Sequence, residues 1–227
     1  MKSKIAFVLC TVLCFFSVPI FADDFIYFGG NYSNTIADGN ISHAVGGNIS
    51  LIGDYGGAKK CYVAFGFDVD LSGNRDLNTD ELKKLGVHDM NTRFYSVPLR
   101  IGYPFIFSIN ENTNFLLIPA LAFDLHFFHA DFMQKMVVYD SVYKINYDMS
   151  GWGYSLGASV NLGMQHKINK VFVRYGVDFD TRLFTLLLAD IKYTGYVNGT
   201  TSDTAFNSIA DYFMLTTSPY VSIGFKL

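Results

Sequence analysis

Five histidines (His43, His88, His126, His129 and His166) are the side chains best suited to acid-base work, and an acidic run from Asp68 is the one best suited to a cation. An acyl-transfer site needs a serine within hydrogen-bond reach of a histidine base. Ser42 adjoins His43, but consecutive residues of a strand point to opposite faces, so these two cannot act as a pair. His126 shares a face with Asp124, and its sequence neighbours are Phe127, Phe128 and His129, with no serine among them. We therefore expect a hydrogen-bonded His126 and assign no catalytic residue. The series Asp68, Asp70, Ser72, Gly73, Asn74, Asp76 begins with calcium-loop spacing, then presents Thr79 where the twelfth position calls for a bidentate Glu. A solvated acidic loop is the simpler reading, and no metal or cofactor is assigned.

The remaining candidates are charges spaced two apart. From Val171 the odd positions are Val171, Val173, Tyr175, Val177 and Phe179, opposite Arg174, Gly176, Asp178, Asp180 and Arg182. From Gly151 the even positions are Trp152, Tyr154, Leu156, Ala158, Val160, Leu162 and Met164, opposite Gly151, Gly153, Ser155, Gly157, Ser159, Asn161 and Gly163. From Phe115 to Phe127 the odd positions are all apolar, while the other side runs to Ala120, Ala122, Asp124 and His126. Period-two alternation is the mark of strands with two chemically different faces. A soluble sandwich would put Lys, Glu and Thr on its outer face, a place that glycine and serine do not suit. The reversed sense fits: apolar side chains meet lipid, and small or charged ones fill a narrow interior. Arg100, Asp124, His126, Arg174, Asp178, Asp180 and Arg182 then form a lumen network, expected to be ion-paired because an unpaired charge there is costly.

Composition agrees. Of 227 residues, 50% are hydrophobic and 17% aromatic, and only 16% are charged, against roughly 25% charged in a soluble domain. A net charge of -3 leaves no basic excess for nucleic acid. Residues 1 to 22 read as a secretory signal peptide: Lys2 and Lys4, an apolar stretch, then Ala22 ahead of Asp23 and Asp24. Cys10 and Cys14 leave with it, so residues 23 to 227 keep Cys61 alone and no internal disulfide is possible.

Alternating segments fall near 25 to 34, 41 to 53, 60 to 71, 92 to 104, 113 to 128, 148 to 164, 170 to 183 and 213 to 227. In hydrocarbon every backbone amide must be paired, so such strands close on themselves. The expected fold is all-β: a closed antiparallel up-and-down transmembrane β-barrel of eight strands, with short turns alternating with long loops. A ten-strand count arises if Leu186 to Val197 and a segment before Tyr212 are added. The last strand ends Val221, Ile223, Phe225, Leu227 with Ser222, Gly224 and Lys226 between. Here the chain resembles the small bacterial outer-membrane barrels of the OmpA, OmpX and OmpW kind, although it ends in Leu227 where those carry a terminal aromatic. The resemblance implies an integral outer-membrane location with periplasmic termini, contact with outer-membrane lipid, and delivery to the barrel assembly machinery through the C-terminal strand.

Eight strands leave an interior just wide enough for side chains, so function is expected in the loops. Met136 to Asp148 and Leu186 to Val197 still alternate and would carry the strands beyond the bilayer as a protruding sheet able to meet an extracellular partner. The leading expectation is surface interaction, adhesion or envelope stability without catalysis. A narrow channel for small hydrophobic solutes comes second, a lipid-modifying barrel enzyme third. A soluble exported ligand-binding barrel is the alternative in fold.

Overall fold

The computed structural model describes residues 25–37, 40–55, 59–71, 87–138, 141–197, 200–211 and 213–227. Residues 1 to 22, expected to be a signal peptide, and the part of the acidic loop from Ser72 to Thr79 lie outside them.

Ten strand segments are present: β1 (Phe25–Ala37), β2 (Asn40–Tyr55), β3 (Lys59–Asp70), β4 (Val87–Gly102), β5 (Phe105–Asn110), β6 (Thr113–Val138), β7 (Ser141–Ile168), β8 (Val171–Val197), β9 (Thr200–Asp211) and β10 (Met214–Lys226). Every neighbouring pair is antiparallel, and β1 closes the ring by pairing with β10 from Phe25↔Lys226 to Ala37↔Met214. Ten segments nevertheless make eight staves. Pairing to β6 runs in one register from Gly102↔Ala120 on β4 to Phe105↔Leu117 on β5. The stave is broken only at Tyr103 and Pro104, where proline has no N–H to donate. Likewise β9, up to Asp211, and β10, from Met214, together descend along β8. The barrel thus closes on eight, as expected, and the segment before Tyr212 is the upper half of the last stave rather than a ninth one.

The faces are distributed as the alternation requires. Leu121 is 74% exposed, and Phe28, Val160, Val221 and Ile223 are also exposed, whereas Ser155, Ser159, Asn161, Arg174, Asp180 and Arg182 are buried. At the turn end the interior is an apolar stopper of Tyr27, Ile52, Leu116 and Ile118, with Phe25, Ile106 and Phe172 packed against it. Short turns close this end, such as Asn169–Lys170, where Asn169 takes a left-handed φ of 58°, a conformation that asparagine tolerates.

At the opposite rim the alternation changes sign. On β6 the outward series Phe123, Leu125, Phe127 gives way to His129, Asp131 and Lys135, while Phe132 lies on the inner side. On β7, Lys144, Asn146, Asp148 and Ser150 are exposed, and Tyr143, Ile145, Tyr147 and Met149 are half-buried. Phe132 stacks on Tyr147 with ring centroids 4.6 Å apart, and Tyr147 meets Tyr193 at 5.9 Å. β8 makes the same exchange through a bulge. Leu156 pairs with Phe184 and Gly157 with Arg182, leaving Leu183 as an extra residue, 73% exposed. Beyond it the inward residues are Thr185, Leu187, Ala189, Ile191 and Tyr193, odd where they had been even. An apolar outer surface therefore spans Phe115 to Phe127 on β6, a height of roughly 30 Å for strands tilted by about 40°. Above it stands a sheet with a polar outside.

Candidate functional site

The lumen network is built from the inward positions of seven staves, and it falls into two layers. In the upper layer Arg100 on β4 reaches across the interior. Its Nε donates to Asp180 Oδ1 at 2.9 Å, its Nη2 to Asp180 Oδ2 at 3.0 Å, and its Nη1 to Asp124 Oδ1 at 2.6 Å. Arg182 Nε donates to Asp124 Oδ2. Arg182 Nη1 lies 3.5 Å from Asp180 Oδ1, an ion-pair contact without hydrogen-bond geometry. Two guanidiniums and two carboxylates thus compensate one another, and the forked Arg geometry supplies several charge-assisted bonds at once. Such a set ties β4, β6 and β8 together through the space they enclose.

Around Arg174 the lower layer departs from the expected ion pair. No carboxylate lies within 4.0 Å of Arg174 among the described residues. Instead the guanidinium, 1% exposed, sits over the rings of Tyr220, Tyr62 and Tyr27 at 5.1, 5.3 and 5.6 Å from their centroids. Its Nε donates to Tyr220 Oη at 3.0 Å and its Nη2 to Asn161 Oδ1 at 2.6 Å. Asn161 Nδ2 in turn donates to Asp178 Oδ1 at 2.5 Å, so the charge reaches a carboxylate only through an amide. Ring quadrupoles substitute for a counter-ion where the cation is desolvated. Space for the rings comes from glycine: a Cβ at Gly224 would lie 2.4 Å from the Tyr27 ring.

His126 is buried and its Nε2 lies 2.9 Å from Ser155 Oγ on the adjacent β7, so the serine missing from the local sequence is supplied by the neighbouring strand. Register explains it, because Asp124 pairs directly with Ser155 and His126 with Gly153. The three residue types of a hydrolase are together, but their connections are not those of a triad. Asp124 Oδ2 accepts from Ser155 Oγ at 3.5 Å and from Arg182, and His126 Nδ1 has no hydrogen-bond partner. A triad needs the carboxylate on that second ring nitrogen, where it orients the imidazole and stabilises its charged form. Ser155 is 0% exposed, out of reach of a substrate. The remaining histidines serve elsewhere: His43 Nδ1 contacts Tyr32 Oη and Asn34 Oδ1, and His129 stands 3.5 and 3.7 Å from Asp131 and Asp148 above the rim.

Beside the upper layer a cavity of about 100 Å³ is lined by hydroxyls and carboxylates, among them Ser33, Asp68, Asp180 and Ser218, and it reaches down to Tyr62 and Asp178 of the lower layer. Ser33 and Ser218 are bonded at 2.8 Å, and Asn31 Nδ2 donates to Asp68 Oδ1 at 2.9 Å. This volume has room for several waters, and Arg174 with its rings and the apolar stopper lie between it and the turn end. The seven residues expected to share one network are therefore divided. Arg100, Asp124, Asp180 and Arg182 form one ionic group with His126 beside it, and Arg174 and Asp178 belong to the aromatic layer beneath. Tyr27, Tyr62, Tyr220, Asn161 and Ser155 complete the site and were not singled out by sequence. Their inward positions were readable from the alternation, but their partners depend on register across strands.

No protein-family model matches the chain, and neither does any curated protein. Among solved structures, the Neisserial surface protein A is similar at 11% identity over 90% of this chain and 97% of its own, with a TM-score of 0.45. Ail, the attachment invasion locus protein of Yersinia pestis, is similar at 10% identity over 91% and 99%, with a TM-score of 0.39. A major outer membrane protein from Thermus thermophilus is similar at 10% identity over 89% and 99%, with a TM-score of 0.43. By its own strand closure and its outward apolar belt, this chain has the architecture of a small outer-membrane β-barrel.

Proposed function

We propose that this protein is an integral outer-membrane barrel that does not conduct and does not catalyse, and that acts through the sheet it raises above the membrane. The observation that carries this reading is the change of sign at the rim. Below it, exposed apolar side chains suit acyl chains. Above it, the same strands expose Asp131, Lys144, Asp148, Asp190 and Lys192 to water. A sheet maintained that far beyond the bilayer contributes little to spanning it, and stiff, solvent-facing strands are suited to contact with other surfaces. In this reading the turn end and both termini face the periplasm, residues 1 to 22 direct export, and the C-terminal strand engages the assembly machinery.

The lumen supports the non-conducting half of the proposal, because two side-chain layers and a dry stopper succeed one another along its axis. The test is reconstitution. Purified full-length protein that shifts in electrophoretic mobility on boiling should give no conductance steps in planar bilayers, while protease added to intact cells should cut the protruding segments. Steady conductance would favour the narrow-channel reading instead.

A further inference from the structure

The outward wall of the barrel carries a polar island inside its apolar belt. Ser33, Ser42, Ala44, Thr216 and Ser218 line the interior cavity, so their chain neighbours Tyr32, Asn34, His43 and Thr217 face out. Asn34 pairs with His43 on β2 and with Thr217 on β10, which makes one polar row across three staves. Exposed Ile36, Ile41 and Leu215 border it toward the loop end, and exposed Phe28, Val45 and Val221 toward the turn end. Register fixes its height. The row through Tyr32 crosses Val45, Val69 and Tyr95 and meets β6 at Phe127, while the row through Asn34 runs the other way across Thr217, Phe179 and Val160 and meets β6 at Pro119. Both routes take the same number of steps, so with tilted strands the island stands midway between those levels, near that of Phe123. That is the middle of the belt from Phe115 to Phe127.

Within the island His43 Nδ1 lies 2.8 Å from Asn34 Oδ1 and 3.0 Å from Tyr32 Oη. His43 Nε2, Asn34 Nδ2 and Thr217 Oγ1 have no hydrogen-bond partner among the described residues. Acyl chains cannot supply one, and polar side chains at this depth ordinarily face protein. Just below, Gly30 and Gly47 pair on the same outward face, and within 4 Å a Cβ at either would meet a single backbone oxygen, at 3.5 and 3.6 Å. The wall is therefore notched beside the island. Small residues next to polar ones are what close packing inside a bilayer uses.

We infer that this wall is the interface between two copies of the chain in one membrane, related by a two-fold axis along the bilayer normal. Copies in one membrane share the direction of the barrel axis, and such a two-fold sets the same patch of each against the other. The island complements its own image: the Asn34 amide donates, and the Asn34 and Thr217 oxygens accept. Gly30 and Gly47 let the two walls approach until these short side chains meet. The inference needs the lipid-facing belt alone and is independent of what the protruding sheet contacts.

The test uses the full chain, labelled on its amines with donor or acceptor dye in separate batches, then mixed in phospholipid vesicles over a series of protein-to-lipid ratios. Wild-type energy transfer should exceed that of randomly placed monomers and fall on dilution with lipid as a dimer does. Asn34→Leu combined with Thr217→Val turns the island into belt and should weaken association about tenfold. Gly47→Leu fills the notch and should weaken it severalfold, whereas Leu121→Val, on the far side of the barrel, should leave it unchanged. Every variant should keep the boiling-induced mobility shift, which separates loss of association from loss of fold. Wild-type transfer at the random level, unchanged association in the island or the notch variant, or an equal loss in Leu121→Val would overturn the inference. Conductance and surface proteolysis judge the closed, surface-exposed barrel independently of this outcome.

Discussion

Gly163 lies directly against the hydroxyl of Tyr220: a Cβ on residue 163 would fall 2.3 Å from Tyr220 Oη. That hydroxyl accepts from Arg174 and donates to Asn161, so one missing methyl group holds the lower layer in place. Gly163→Ala should drive the tyrosine off the guanidinium and cost about 1–3 kcal/mol, the usual range for overpacking. The midpoint of denaturant unfolding in detergent, read from the heat-modifiable band, checks it.

Asp124 is the carboxylate that both Arg100 and Arg182 share. Asp124→Asn leaves two guanidiniums with Asp180 as their remaining carboxylate in the upper layer. Removing one member of a buried ionic set costs roughly 3–5 kcal/mol. Asp124→Asn combined with Arg182→Met should recover part of that loss, and a double-mutant cycle measures how much.

Leu121, in the middle of the apolar belt, and His129, just above it, differ by eight positions on the same outward face of β6. Leu121→Arg should cost about 2–4 kcal/mol, as expected near a bilayer midplane, whereas an arginine at the interface costs about 0–1 kcal/mol. Equal costs for Leu121→Arg and His129→Arg in lipid vesicles would mean that the membrane boundary does not run between them.

Ser155 is sealed in the interior and bonded to His126. A serine-directed fluorophosphonate should leave the folded protein unlabelled, and Ser155→Ala should change neither that result nor the mobility shift on boiling. Covalent labelling that Ser155→Ala removes would reopen catalysis.

How much of this was legible depends on what each feature requires. The inversion of faces could be read from strands such as Gly151 to Met164, because glycine and serine opposite Leu and Val fit only one solvent arrangement. The closure on eight followed from it. Arg174's surroundings could not be read this way, since Tyr27, Tyr62 and Tyr220 lie on three other staves and converge only when the sheet curls shut. Ser155 escaped notice for a related reason: its partner is fixed by the β6–β7 register, which no local pattern contains. Leu183 was hidden by its own ordinariness. An extra residue in a strand leaves alternation intact on either side and shifts only its phase.

That shift has an evolutionary corollary. Because one inserted leucine resets which side chains look inward, the half of β8 bathed in lipid and the half standing in water are decoupled, and each can drift under its own selection. Losing that residue would present Leu187, Ile191 and Tyr193 to solvent in a single step. An indel there would be far more damaging than any point substitution nearby.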